Sequence, residues 1–224
     1  MSVVISLGGS MVNGTGNPDT NFLKKFKSLL KGKEKIGIVV GGGKIARDYV
    51  KAASSFSKNQ FWGDSLAVQA TRLNAGLVTR VFPKEACPLV FQDFESAALA
   101  SAQHRIVVMG GTIPGITTDT DSVLLAEAIG AKRLVNLSNV DGVYDSDPSK
   151  NKKAKKFSKM SFSQLLSLAN ASDKRKPGTN FVFDVIACKL AAMTKMELHF
   201  VGGKNLQDLP KALKGKAHRG TIIK

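Results

Sequence analysis

The chain has 224 residues, 43% of them hydrophobic, and a formal net charge of +16 from 33 Lys+Arg against 17 Asp+Glu. That length suits one large domain with a sizeable core, and the charge points to anionic partners such as phosphates, nucleotides or nucleic acid. No apolar run approaches the ~20 residues of a membrane span, and the N-terminal MSVVISLGG lacks the charged start and long apolar stretch of a signal peptide, so the expected location is cytoplasmic.

In chain order, an apolar strand-like run closed by paired glycines comes first, as VVISLGGS (residues 3–10). A helix is predicted over 19–30, from an Asp or Thr cap and apolar residues at Phe22, Leu23, Phe26, Leu29 and Leu30. The strand pattern returns in IGIVVGGGK (36–44). FWGDSLAVQATRLNA (61–75) then places Asp64 and Arg72 near one face of a helix, where an ordinary exposed pair of charges accounts for them as well as a site would. Cys87 and Cys188 stand far apart in apolar surroundings, which predicts small buried thiols and a reducing compartment.

The pattern recurs in RIVVMGGT (105–112), followed by a helix over 122–129 that ends at Gly130. A strand from Arg133 ends in Ser-Asn-Val-Asp-Gly, and the run KNKKAKKFSK (150–159) reads as a solvated surface loop. Helices from Phe162 and Phe183 flank NASDKRKPGTN (170–180), a mobile-loop candidate whose Pro177-Gly178 pair excludes regular structure; ELHFVGGK (197–204) supplies the last strand and glycine pair.

Unbroken Val/Ile/Leu runs suit strands covered on both faces, and their alternation with helices predicts an α/β fold with a mainly parallel sheet. Ligands of such sheets bind beyond the carboxyl ends of the strands, which is where all four Gly-Gly turns would fall. One glycine turn is ordinary turn chemistry. Four at one edge favour a multi-phosphate site, although neither G-x-G-x-x-G nor the Gly-Lys-Ser/Thr phosphate loop is present.

Two further segments could carry chemistry. MGGTIPGITTDTDS (109–122) offers threonine hydroxyls and turn amides to an anion, with Asp119 or Asp121 serving either as a helix cap or as the organiser of a metal or cation. SNVDGVYDSDPS (138–149) sets Tyr144 among Asp141, Asp145 and Asp147, an aromatic face and acceptors suited to a base or ribose, within consecutive turns. His104, His199 and His218 show no nucleophilic arrangement.

At these residues the whole chain resembles the amino acid kinase superfamily and, within it, the archaeal-type uridylate (UMP) kinases. The carriers are LGGS (7–10), VVGGGKIARDYV (39–50), Asp64 with TRLNA (71–75), VMGGTIPGITTD (108–119), LLAE (124–127) and SNVDGVYDSDP (138–148). The resemblance implies a three-layer α/β/α sandwich with an N-terminal UMP lobe of about 1–130 and a C-terminal ATP lobe of about 131–224. It implies transfer from ATP to UMP with Mg²⁺, and homo-oligomers, commonly hexamers. Carried over position by position, Gly9, Ser10, Gly43 and Arg47 resemble contacts to the ATP phosphates. Gly42, Asp64 and the run Thr112, Ile113, Pro114, Gly115, Ile116, Thr117 and Thr118 resemble the UMP site. Ser138, Asn139, Tyr144 and Asp147 resemble the adenine-nucleotide site, and Asp119 the aspartate that organises catalytic groups; no metal-ligating side chain is assigned. Many members carry a lysine on the first strand where this chain has Ser6, and Lys44 is the expected substitute.

Two alternatives follow. A kinase of the same superfamily acting on a carboxylate, carbamate or isopentenyl phosphate is opposed by Asp64 and GTIPGITTD (111–119). A nucleic-acid-binding protein on this fold is conceivable from the +16 charge, but the basic run lacks interleaved aromatic residues for base stacking.

Overall fold

The computed structural model describes residues 2–172 and 183–224. The chain runs from β1 (Ser2–Leu7) through α1 (Gly9–Asn13) and α2 (Thr20–Leu29) to β2 (Lys35–Val40), then α3 (Gly43–Ser54) and α4 (Gln60–Val81). It continues as β3 (Ala86–Phe91), α5 (Phe94–Gln103), β4 (Ile106–Met109), α6 (Thr118–Ala128), β5 (Arg133–Ser138) and β6 (Lys159–Met160). The last elements are α7 (Phe162–Ser172), α8 (Val185–Met193), β7 (Glu197–Gly202), α9 (Leu209–Leu213) and β8 (Thr221–Ile223).

These strands form one sheet in the order β3-β4-β2-β1-β5-β7-β8-β6, in which only the β7–β8 pairing is antiparallel. Successive side chains on a strand point to opposite faces. On β1, Val3, Ile5 and Leu7 pack with Phe22 and Phe26 of α2, Val78 of α4 and Leu209 of α9. Val4 faces the other way, into a core built from Ala97 of α5, Leu125 of α6, Leu165 of α7 and Ala187 of α8. The same division holds on β2, with Ile36, Ile38 and Val40 on one side and Val39 on the other, so the sheet is the middle layer of the expected α/β/α sandwich. Strands from residues 2–109 fill one half of the sheet and those from 133–223 the other, meeting at the β1–β5 pair.

Several local expectations hold. Asp19 caps α2, its Oδ1 accepting the Phe22 N–H at 2.8 Å. Residues 150–159 are mostly exposed, and both cysteines are buried free thiols. Three strands were not legible in the sequence pattern: β3 contains Pro88 and lies at the sheet edge, and β6 and β8 span only two and three residues. Helix α6 starts at Thr118, earlier than its apolar core suggested, because Thr117 caps it. Of the polar stretch 170–180, the first three residues complete α7, and the rest, including Pro177-Gly178, lies outside the described residues.

Candidate active site

The turns that follow β1, β2, β4 and β7 lie at the carboxyl edge of the parallel strands, as their sequence position required. The first two touch. A Cβ on Gly9 would stand 2.2 Å from the Gly43 nitrogen and 2.3 Å from the Gly41 carbonyl oxygen, so no side chain fits between them. Gly43 has φ +64, which favours glycine, and opens the 12-residue helix α3. Gly42 precedes it, Ser10 lies in α1, and Arg47 is exposed one turn into α3. Lys44 Nζ is ion-paired with Asp48 one turn along α3, an exposed i,i+4 contact of the weak kind.

Asp119, in the first turn of α6, is held by the sheet. Ser6 and Asn136 are register partners on β1 and β5 and therefore share a face. Ser6 Oγ donates to Asp119 Oδ1 at 2.9 Å and Asn136 Nδ2 donates to the same oxygen at 3.0 Å. Burial and then the nearby Asp184 carboxylate push the Asp119 carboxyl up to about 7 against the pull of those two donors. Asp119 Oδ2 has no hydrogen-bond partner among the described residues.

Asp184 caps α8, accepting the Ala187 N–H at 2.9 Å. Its carboxylate also accepts from Thr117 Oγ1 (2.5 Å) and Thr120 Oγ1 (3.0 Å), tying α8 to the start of α6. Asp121 is fully buried and accepts from Thr112 Oγ1 (2.7 Å) and the Thr112 N–H (3.3 Å); burial raises its carboxyl to about 6. The capping alternative for Asp119 and Asp121 is corrected accordingly. Thr117 is the N-cap, its Oγ1 accepting the N–H groups of Asp119 and Thr120, and both aspartates sit in the first turn, where the helix dipole favours them.

The segment from Thr112 to Thr118 is tied to this cluster near both ends, through Thr112 to Asp121 and Thr117 to Asp184. Ile113, Gly115 and Thr117 are exposed, whereas Thr112, Pro114, Ile116 and Thr118 are half-buried. Arg72 pins its start, Nε donating to Gly111 O (3.1 Å) and Nη2 to Thr112 O (2.7 Å). This corrects the reading of Arg72 as half of an ordinary charge pair with Asp64. Asp64 instead lines a cavity of about 340 Å³ between α3 and α4, with Val50, Ser54, Asn59 and Gly63.

A larger cavity of about 590 Å³ opens beyond β5 and β7, lined among others by Asn139, Tyr144, Lys204, Asp208 and Arg219. The Tyr144 hydroxyl donates to Asp141 Oδ1 at 2.6 Å, which raises the phenol to about 12. Ser138 Oγ accepts the Val140 N–H at 3.2 Å, and Asp147 Oδ1 accepts from the Ser149 N–H (2.9 Å) and hydroxyl (2.7 Å), so both stabilise turns beside the cavity.

Sequence reasoning missed Asn136, Asp184 and the anchoring role of Arg72. Asn136 carried a signal, a polar residue inside an otherwise apolar buried strand. It also missed the contact between His199 and His218, whose ring nitrogens lie 2.8 Å apart, with Glu197 3.0 Å from His199. Among the described residues no three His, Cys, Asp or Glu side chains converge to hold a metal. A Mg²⁺ ion held mainly by phosphate oxygens needs only one or two carboxylates, and the Asp119 Oδ2 fits that demand.

The model of the amino acid kinase family matches residues 1–202. The chain is 40% identical over 226 residues to a protein named uridylate kinase from Thermococcus kodakarensis, spanning 100% of this chain and 99% of that one. It is 40% identical over 223 residues to a uridylate kinase from Archaeoglobus fulgidus, with both chains covered in full. The crystal structure of the uridylate kinase from Archaeoglobus fulgidus superposes with a TM-score of 0.87 at 37% identity, covering 100% of each chain. A UMP kinase structure from Bacillus anthracis shares the fold at a TM-score of 0.78 and 21% identity, covering 99% of this chain and 95% of that one.

Proposed function

The chain belongs to the amino acid kinase family, and we infer that it transfers the γ-phosphoryl group of ATP to UMP, giving ADP and UDP. The observation that carries this reading is the pair of abutting glycine turns after β1 and β2, set beside the Asp119 cluster in a chain alike end to end to uridylate kinases. Phosphoryl transfer asks little covalent work of a protein: it needs donor and acceptor aligned and their charge stabilised. The nucleophile is a phosphate oxygen of UMP, already anionic, so no protein nucleophile is required.

On this reading Gly9, Ser10, Gly43 and Arg47 hold the ATP phosphates, and Ser138, Asn139, Tyr144 and Asp147 serve the adenosine end at the 590 Å³ cavity. Gly42, Asp64 and residues 112–118 hold UMP, with Arg72 fixing the start of that segment. Asp119 would hold Mg²⁺ through its free oxygen, and the ion, when bound, neutralises charge on the transferring phosphoryl group. Ser6 and Asn136 orient the Asp119 carboxylate. Lys44 leaves its exposed contact with Asp48 to supply the cation that β1 lacks; an unchanged turnover number in Lys44→Ala would remove it from the scheme.

The lobe division at about residue 130, a hexameric assembly and a cytoplasmic role in pyrimidine nucleotide synthesis complete the proposal. The meeting of the two sheet halves at β1–β5 supports the first, exposed Phe56, Trp62 and Leu73 the second, and free buried thiols the third. No described helix is long and apolar enough to cross a membrane. A coupled assay of ADP release across UMP, CMP, dUMP, carbamate and isopentenyl phosphate tests the substrate. UMP is expected to give the highest kcat/KM, and preference for any other acceptor overturns the assignment.

A further inference from the structure

Two buried carboxamides hold the triple-glycine turn from behind. Asn74, on α4, donates from Nδ2 to Gly41 O (2.8 Å) and Gly42 O (3.2 Å), and its Oδ1 accepts from Asn13 Nδ2 at 3.3 Å. Asn13, at the end of α1, donates also to Gly42 O (3.2 Å) and accepts the Lys44 N–H at 3.4 Å. Asn13 and Asn74 are 1% and 4% exposed. Both N–H donors of each carboxamide and both carbonyl oxygens are engaged, so the orientation of each amide is determined. An aspartate of the same shape would turn acceptors toward carbonyl oxygens at both places.

A trans peptide plane points its C=O and its N–H in opposite directions. With Gly41 C=O drawn toward Asn74, the Gly42 N–H must point away from it. With Gly42 C=O drawn toward both asparagines, the Gly43 N–H must do the same. Neither N–H has a hydrogen-bond partner among the described residues, and the second stands at the N-terminus of α3, where the helix dipole favours an anion. Gly43 is further constrained because a Cβ there would meet Asn13 Oδ1 at 2.5 Å.

We propose that Asn13 and Asn74 are positioning residues for phosphoryl transfer: by holding two successive carbonyls they aim the Gly42 N–H at the acceptor phosphate and the Gly43 N–H at the donor phosphates. The proposal rests on the assignment of those two glycines given above. It makes the separation of the two phosphate groups a property of two adjacent peptide planes, set from the protein interior by side chains that touch neither nucleotide.

The test combines kinetics with an NMR titration of protein labelled with ¹⁵N-glycine. In the wild type, UMP shifts the Gly42 amide and a non-hydrolysable ATP analogue shifts the Gly43 amide, both downfield. In Asn74→Asp and Asn13→Asp those responses are lost while the remaining glycine resonances keep their positions, which separates misaimed amides from a damaged fold. Their kcat falls by about 10- to 100-fold with each KM changed less than about fivefold, the range expected when preorganised donors are lost from a transition state. A folded Asn74→Asp with kcat within about twofold of wild type overturns the proposal. Should both variants fail to fold, the wild-type titration decides alone, since unmoved Gly42 and Gly43 amides also overturn it. A wild type that does not phosphorylate UMP at all defeats the functional assignment instead.

Discussion

Ser6 Oγ and Asp119 Oδ1 are 2.9 Å apart across 113 positions of sequence, joining the carboxyl end of β1 to the first turn of α6. A neutral hydroxyl therefore occupies the strand position where a lysine was the family expectation. It steadies the carboxylate without neutralising it, while burial and then the Asp184 carboxylate push that carboxyl up to about 7 against the pull of the hydroxyl.

If Asp119 holds the cation as proposed, an acid limb near pH 7 is expected in kcat/KM, because the carboxyl must be ionised to do so. Higher Mg²⁺ moves that limb to lower pH. Ser6→Ala, which removes a donor favouring the ionised form, moves it up by about 0.5–1 unit. Initial rates over pH 5–9 at several Mg²⁺ concentrations check both shifts.

Asp119→Asn is expected to stabilise the folded protein while abolishing turnover. The folded carboxyl sits above its ordinary 3.8, so its favourable contribution is present below that value and is lost as pH rises to about 7. Asparagine keeps an acceptor for Ser6 and Asn136 without the charge facing Asp184 and Asp121. At pH 8 the gain is at least about 1 kcal/mol, a rise in Tm of roughly 2–4 °C by calorimetry.

His199 predicts acid sensitivity of the opposite sign. Burial holds its imidazole down at about 4, with Glu197 opposing and His218 and Arg133 reinforcing the shift. Its contribution is level above pH 6.5 and is lost as pH falls from 6.5 towards 4, because the unfolded chain takes up the proton first. The slope for this one proton is about 1.4 kcal/mol per pH unit. The difference between wild type and His199→Gln in urea unfolding, followed over pH 4–7, isolates it from Asp119; a constant difference contradicts the assignment.

Gly43→Ala and Gly130→Ala are informative as a pair. Their φ angles are +64 and +65, but a Cβ at Gly43 meets Gly9 C at 2.5 Å, and one at Gly130 meets nothing within 4 Å. Gly130→Ala should cost only the backbone term of about 1–2 kcal/mol, whereas Gly43→Ala adds overpacking and should lose about 3 kcal/mol or more. Equal losses in denaturant unfolding would contradict the contact.

Tyr144 is expected to act through its ring. Tyr144→Phe loses the bond to Asp141, which Lys156 Nζ still engages at 2.7 Å, and should leave the KM for ATP within about twofold. Tyr144→Ala removes the aromatic wall of the cavity and should raise that KM about tenfold, with the KM for UMP unmoved. Steady-state kinetics with each nucleotide varied in turn separate the two substitutions.

Local signals carried much of this molecule. The glycine turns, the Asp19 cap and the apolar runs of the inner strands are each written within a few residues of themselves, and the structure sets them where the pattern required. Pairings set by register were out of reach. Nothing near Ser6 names Asn136 as its neighbour, and Asp184 meets Thr117 from 67 positions away. Nothing in the sequence marks Asn13 and Asn74 as the supports of the glycine turn, because the groups they hold there are backbone carbonyls, which every residue has. Thr117 took the cap from two nearby aspartates because consecutive capping residues compete on geometry, which composition does not encode.

Both margins of the sheet resist lengthening. β6 offers two residues to a newcomer, and β3 presents Pro88, which has no N–H to donate, in a strand whose register with β4 is already irregular. A further copy of the chain gains little by continuing the ladder at either side. The helical faces offer a further copy more, since Trp62 and Leu73 of α4 stand 59% and 67% exposed. A protein built on an eight-stranded sheet is thus steered toward side-chain docking and away from fibre-like growth.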